Sequence, residues 1–208
     1  MTLILLISAA LSFLAGGVNP AIILSKLVYG EDIRDKGSKN PGFTNFKRVY
    51  GSGFISWLVL LLDVLKTAVP VFVTALVSRA AADAWQLGAC WSGLFCMLGH
   101  CFPVWYGFRG GKAFIAGFAT TWFVDWRMAL IAMAIFFIVL AATRYMSVSS
   151  CTAAFSCPII LLILGAKSPW VYVIVAVSAL LIIVRHYPNF VKLRNGTESK
   201  FSLRSKKS

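Results

Sequence analysis

The chain has 208 residues, of which 59% are hydrophobic and only 13% charged, and its mean hydropathy is +0.81. A soluble domain carries about 25% charged residues, so an ordinary soluble protein, a disordered chain and a fibrous repeat are all excluded. Twenty Lys and Arg against seven Asp and Glu give a net charge of +13. On a soluble protein that excess would suggest nucleic acid, but here the bases flank apolar runs, the pattern that sets membrane orientation, and no nucleic-acid partner is expected.

The first segment, MTLILLISAALSFLAGG, has no basic residue before Lys26. It therefore reads as a transmembrane helix that starts outside, not as a signal peptide with a basic leader. Apolar segments run at about 2–28, 54–78, 86–106, 113–124, 128–146, 151–166 and 169–185. A span takes about 20 residues, so the fourth and sixth are short, and merging one doubtful pair would leave five spans with the same sidedness. Alternating sides from an outer N-terminus puts sixteen bases inside and only Arg79, Arg127 and Lys167 outside, with Lys66 within a span.

The expectation is an all-α polytopic integral membrane protein of seven transmembrane helices, N-terminus outside and C-terminus cytoplasmic. It forms one membrane-embedded domain over 1–208, with inner segments at 29–53, 99–112 and 185–208. No internal repeat supports an inverted-repeat transporter. Cys90, Cys96, Cys101, Cys151 and Cys157 form no CxxC pair and read as small hydrophobes, with no disulfide framework and no metal site expected.

The inner segments carry the chemistry. The first, YGEDIRDKGSKNPGFTNFKRVYGSG, combines Gly37, Gly42, Gly51 and Gly53 with Ser38, Asn40, Thr44, Asn45, Lys47 and Arg48. Glycines let exposed N–H groups approach an oxyanion, and arginine clamps phosphate through two donors. The pattern GxxxxGK[ST] is absent, so there is no P-loop. The second, GHCFPVWYGFRGGK, holds His100, Pro103 and Arg109, and its Gly110, Gly111 and Lys112 form a cationic turn ahead of an apolar helix, a favourable phosphate site. The third, RHYPNFVKLRNGTESKF, places Arg185, His186 and Asn189 on one face if the helix continues, although Pro188 can kink or end it. The basic residues at 204–207 read as attraction to the lipid surface.

Within the spans, Asp63 and Lys66 are three residues apart with Pro70 one turn on, and pairing or catalysis are both open readings. Arg144, Ser147 and Ser150 recur every three residues near the inner end of the fifth span, where the serines either bind phosphate or cap the helix. Three cationic, Gly/Ser/Asn-bearing segments at one membrane face point to chemistry on anionic headgroups.

Taken in order, DIRDKGSKNPGFTNFKRVYG, LLLDVLKTAVPV, GHCFPVWYGFRGGK, RYMSVSS and RHYPNFVKLRNGTESKF resemble the acyl-phosphate:glycerol-3-phosphate acyltransferases, the PlsY family. The resemblance spans most of the chain. It implies a seven-helix enzyme of the bacterial inner membrane, with its active site facing the cytoplasm. Such an enzyme moves a fatty acyl group from acyl phosphate to the sn-1 hydroxyl of glycerol 3-phosphate, yielding lysophosphatidic acid and phosphate at the start of phospholipid synthesis. It implies acyl phosphate, glycerol 3-phosphate and the bilayer as partners, functional coupling to the enzyme that makes acyl phosphate, and no cofactor.

Carried over, Ser38, Asn40, Gly42, Thr44, Asn45 and Arg48 match the first motif, and His100, Pro103, Gly110, Gly111 and Lys112 the second. Arg185, His186, Asn189, Gly196 and Glu198 match the third, and Ser147 and Ser150 match a serine pair on the fifth span. The sequence departs at Lys39 and Phe43, where the family has glycine and alanine, and at Ala113, where it has glycine.

No HxxxxD pattern occurs, since Trp105 and Val191 stand five residues after His100 and His186. An acyl phosphate is already activated, so the enzyme mainly has to orient two anions and stabilise developing charge. His186, Ser38 and Lys112 are the candidate catalytic residues. The candidate phosphate- and substrate-binding residues are Asn40, Thr44, Asn45, Arg48, His100, Gly110, Gly111, Ser147, Ser150, Arg185, Asn189 and Glu198. His186 and a phosphate oxygen of the donor compete as the base. The alternatives are a small anion or lipid transporter, a lipid-binding scaffold and a different headgroup transferase, the last lacking a convincing metal spacing among Glu31, Asp32, Asp35 and Glu198.

Overall fold

A computed structural model of the chain describes residues 1–201, so Arg204, Lys206 and Lys207 lie outside the described residues. The helices are α1 (Thr2–Gly17), α2 (Pro20–Tyr29), α3 (Phe43–Tyr50), α4 (Phe54–Ala82), α5 (Trp85–Cys101), α6 (Phe114–Val124), α7 (Trp126–Thr143), α8 (Met146–Leu164), α9 (Pro169–Arg185) and α10 (Tyr187–Arg194). In hydrocarbon each backbone N–H and C=O must be satisfied within the structure, which drives long apolar runs into helix. Large apolar side chains face outward, among them Leu6, Leu162 and Ile163, the last 81% exposed. An apolar surface of that extent suits lipid rather than water. The protein is an all-α, polytopic integral membrane protein.

Five stretches are long and apolar enough to cross a bilayer: Thr2–Tyr29, Phe54–Ala82, Trp85–Tyr106, Trp126–Thr143 and Met146–Leu164. The α9–α10 pair, bent by 46°, makes a sixth. The segment expected at 151–166 starts more than a turn earlier and reaches 19 residues as α8. The segment at 113–124 stays short, since the 11 residues of α6 rise about 16 Å, roughly half of the ~30 Å hydrocarbon core.

Two expected helices are interrupted. The run 2–28 breaks between Gly17 and Pro20. The Asn19 side chain accepts from Ile22 N at 3.1 Å, capping α2, and donates to Pro41 O at 3.1 Å, tying the break to the first inner loop. The Val18 carbonyl at the break accepts from Lys66 Nζ on α4 at 2.8 Å. Further on, Arg144 takes a left-handed φ of 63° and ends α7. Ser147 and Ser150 therefore sit in the first turns of α8, not at the inner end of the helix expected over 128–146, and share no helix with Arg144.

α1 lies against α5 at backbone contact. A Cβ on Gly16 would meet the Cys96 backbone and one on Gly99 the Phe13 carbonyl, while the Ser12 and Ser92 hydroxyls stand 2.7 Å apart between them. Small residues are what allow membrane helices to approach this closely. Val71, Met128, Leu161 and Val171 form the centre of the main apolar core between α4, α7, α8 and α9.

Candidate active site

The first inner loop is organised by Asn45 at the start of α3. Its Oδ1 accepts from Ser38 N at 2.8 Å and its Nδ2 donates to Lys36 O at 3.0 Å, so the buried amide closes the loop around itself. Gly37, at φ +56°, packs against that amide, and any side chain there would collide with Asn45 Oδ1. Arg34 Nη2 donates to Asp32 at 2.7 Å and Nη1 to Tyr106 O at 3.1 Å, pinning this loop to the 99–112 segment. The Arg34 guanidinium holds the Asp32 carboxyl well below the usual carboxylate range.

The Gly110-Gly111-Lys112 turn is clamped from two sides. Gly111 N donates to His100 O at 3.0 Å. Arg185 Nε and Nη2 donate to the carbonyls of Gly111 and Gly110 at 3.1 and 3.2 Å, and its guanidinium stacks 5.1 Å over Phe102. Gly110 has no room for a side chain against the His100 carbonyl. Gly110, Gly111 and Arg185 thus shape the site from behind, and the guanidinium spends donors on carbonyls that sequence reasoning assigned to phosphate.

A cavity of about 890 Å³ gathers the rest. Ser38, Asn40, Thr44, Asn45 and Arg48 line it from the first segment, His100 and Lys112 from the second, and His186, Asn189 and Glu198 from the third, with Ser147 and Ser150 from α8. All three motif segments meet there. The volume is typical of a small-molecule site. Among the described residues the buried Ser147 hydroxyl has no hydrogen-bond partner and no side chain caps α8. That leaves a free hydroxyl and orphan N–H groups at a helix N-terminus, an arrangement suited to an anion.

The bend between α9 and α10 sets the histidine. His186 occupies the bend, and Pro188 falls in the first turn of α10, where its missing N–H costs nothing. His186 Nδ1 lies 2.8 Å from Ile182 O. A carbonyl only accepts, so Nδ1 carries the hydrogen, and the neutral ring then has its lone pair on Nε2. Lys112 Nζ donates to Asn189 Oδ1, and Asn189 Nδ2 donates to Glu198 Oε1 at 2.6 Å. Burial pushes Lys112 down from 10.5 to about 8, with Glu198 partly opposing it.

The other end of the cavity is apolar, lined by Phe114, Phe118, Met133, Phe136, Phe137 and Leu140 of α6 and α7 together with Trp57 and Leu60 of α4. A smaller apolar cavity of about 50 Å³ shares Phe114 and Phe118 with it as lining residues. Phe43, one of the departures from the family pattern, packs 5.3 Å from Trp57, and both line the wall.

Sequence reasoning missed Thr197, Ser199 and Phe201 as wall residues, left Asp63 open between pairing and catalysis, and took Lys47 and Lys192 only as loop charges. The chain turns back after Asn195-Gly196, Thr197 N donating to Lys192 O at 2.8 Å, and Phe201 N then donates to Arg144 O at 2.7 Å. The Asn-Gly dipeptide is the turn signal that pointed there. Among the described residues, no group of three His, Cys, Asp or Glu side chains converges as a metal site.

A cleft with cations, hydroxyls and a histidine lone pair at one end and an apolar lining at the other, set among lipid-facing helices, defines a membrane-embedded group-transfer enzyme for amphiphilic, phosphorylated reactants. Comparison with known proteins narrows the class. The sequence profile of the glycerol-3-phosphate acyltransferases matches residues 6–196. The glycerol-3-phosphate acyltransferase of Fusobacterium nucleatum is 34% identical over 191 residues, covering 92% of this chain and 95% of the relative. That of Listeria monocytogenes serotype 4a is 35% identical over 205 residues, covering 96% and 98%. The crystal structure of PlsY, an integral membrane glycerol 3-phosphate acyltransferase, in its glycerol 3-phosphate form superposes with a TM-score of 0.85 at 31% identity, covering 95% of this chain and 96% of that one. Its lysophosphatidic acid form gives 0.81 at 30% identity, covering 95% of each chain. The chain belongs to the glycerol-3-phosphate acyltransferase family, and its role is that of a membrane acyltransferase.

Proposed function

We propose that the protein transfers a fatty acyl group from acyl phosphate to the sn-1 hydroxyl of glycerol 3-phosphate, giving lysophosphatidic acid and inorganic phosphate. The observation that carries this reading is the single cavity of about 890 Å³ that joins all three cationic segments to an apolar wall. Phosphoryl groups sit among Lys112, Arg48, Ser147 and Ser150, and the acyl chain runs along Phe114, Phe118, Phe136 and Phe137.

In the reaction the glycerol hydroxyl oxygen forms a bond to the acyl carbonyl carbon, and the bond from that carbon to the phosphate oxygen breaks. His186 Nε2, with its lone pair free, accepts the hydroxyl hydrogen. The proton ends on the departing phosphate, which leaves as hydrogen phosphate, so no external base is consumed. Lys112 and the hydroxyl donors meet the charge that grows on the leaving phosphate, and such donors are worth most in a site where water is excluded.

The same reading puts the site on the cytoplasmic side of the bacterial inner membrane, with the N-terminus outside and seven helical passes. It is supported by sixteen bases on the inner stretches against three on the outer, and by seven apolar helical stretches in which α6 is shorter than a standard span. Acyl phosphate then comes from a cytosolic enzyme functionally coupled to this one.

Purified protein supplied with palmitoyl phosphate and glycerol 3-phosphate should release phosphate and lysophosphatidate in equal amounts, and palmitoyl-CoA in a parallel reaction should give none. Turnover with the CoA thioester, and none with the acyl phosphate, overturns the choice of donor while leaving the family intact.

A further inference from the structure

The mechanism leaves one cluster of buried charge unused. Asp63 and Lys66 on α4 face His100 at the end of α5, and the side chains of all three are at least nine-tenths buried. The Lys66 ammonium donates to Val18 O at 2.8 Å, lies 2.9 Å from His100 Nδ1, and is ion-paired at 2.9 Å with Asp63 Oδ1, an oxygen with no hydrogen bond among the described residues. The Asp63 carboxylate is 3.7 Å from His100 Nδ1, beyond a hydrogen bond.

This geometry decides where the imidazole carries its hydrogen. Had Asp63 been the partner of Nδ1, that nitrogen would be the donor and Nε2 would be a base. An ammonium stands there instead, and an ammonium has no acceptor. Nδ1 must therefore be bare, Nε2 must carry the hydrogen, and a ring with one bare nitrogen is neutral. His100 Nε2 packs against Gly111, where a Cβ would collide with it, and His100 and Lys112 both line the large cavity. Among the described residues no protein group is hydrogen-bonded to His100 Nε2.

We propose that Lys66, held by Asp63, is a positioning residue that locks His100 into the Nε2–H tautomer, making His100 a neutral donor to a phosphoryl oxygen in the cavity. This rests on the acyltransferase reading above. The two histidines of the chain then have opposite tautomers and opposite tasks. His186, with hydrogen on Nδ1 against Ile182 O, presents a lone pair, and His100 presents an N–H. A pair of like groups driven apart by their surroundings is how one site supplies both an acceptor and a donor at a single pH.

The chain has only two histidines, so ring-15N labelling with His186→Gln for assignment resolves them in the intact detergent-solubilised protein. The expected spectrum shows His100 bare at Nδ1 and protonated at Nε2, and His186 the reverse, across neutral pH. Titration with glycerol 3-phosphate in one arm and a non-hydrolysable acyl phosphonate in another should move the His100 Nε2–H resonance in at least one, and the arm that moves it identifies the phosphoryl partner. Lys66→Met should let His100 exchange between tautomers and lower kcat tenfold or more, with Lys66→Arg restoring the single tautomer.

Hydrogen on His100 Nδ1, or a resonance that neither ligand moves, overturns the proposal, and the wild-type spectrum decides the matter even if Lys66→Met fails to fold. Failure of the acyltransferase reading is a separate result, since it shows as absence of turnover with a wild-type tautomer pattern intact.

Discussion

Lys112 offers the most direct test of the site, because its charge is held at a cost. Its pKa falls from 10.5 to about 8 through burial, and at 1.36 kcal/mol per pKa unit that is roughly 3 kcal/mol against the ammonium in the empty site. A phosphate charge about 4 Å away at an effective dielectric of 20 returns about 4 kcal/mol, enough to restore the proton when substrate binds. Below pH 8 the free enzyme carries the ammonium. Above it the lysine is neutral, and kcat/KM, which reports the free enzyme, falls about tenfold per pH unit. Phosphate release from palmitoyl phosphate, measured against pH at low glycerol 3-phosphate, should therefore show an alkaline limb near 8. Lys112→Arg, always charged, should be slower but lack that limb, and Lys112→Met should lose about 10²–10³ in turnover, the usual cost of one charge-stabilising donor. If wild type and Lys112→Arg share the same alkaline limb, or if Lys112→Met turns over at full rate, Lys112 does not hold the transferring phosphate.

The backbone sets two further outcomes. Lys39 and Ala113 stand at φ 60° and 58°, a region that costs a residue with a Cβ roughly 1–2 kcal/mol. Lys39→Gly and Ala113→Gly should each stabilise by about 1 kcal/mol, raising the melting temperature in detergent by about 2–4 °C; a lower melting temperature would contradict the strain. Gly111→Ala should reduce turnover at least a hundredfold by driving a methyl into the His100 ring, whereas Gly53→Ala, which meets open space, should leave it unchanged; equal effects from both would show that the contact between the turn and His100 is irrelevant.

The helices were legible because the bilayer applies one strong, local rule. Each of the seven apolar runs is mainly helix, but the break at Asn19-Pro20 was read through as part of one run over 2–28, although the dipeptide is one that turns favour. The three inner segments were legible as anion chemistry from residue type alone, and the cavity unites them. Residue type could not assign the individual donors. A guanidinium at 185 looks the same whether it faces phosphate or the carbonyls of Gly110 and Gly111, and only the fold, which brings residues 74 and 75 positions apart together, decides between them. The serines were misplaced for a related reason. The left-handed Arg144 ends α7 and the next helix begins after Tyr145, and no glycine marks the break.

The departures from the family pattern illustrate the same division. Lys39 and Ala113 occupy left-handed positions, so the glycines expected there serve backbone conformation, and replacing them strains the chain without removing a functional group. Phe43 is different in kind, because it adds a ring beside Trp57 on the wall where the apolar end of the cavity begins. The polar groups that the proposed reaction uses are fixed by buried partners: Asn45 by the loop it closes, His186 by Ile182, His100 by Lys66. The apolar wall has no such fixing, since aromatic rings on α6 and α7 hold one another by stacking and edge-to-face contact alone. Divergence in this chain therefore falls on conformational strain and on the apolar wall, while the hydrogen-bonded groups that would handle phosphate keep the residue types that their geometry requires.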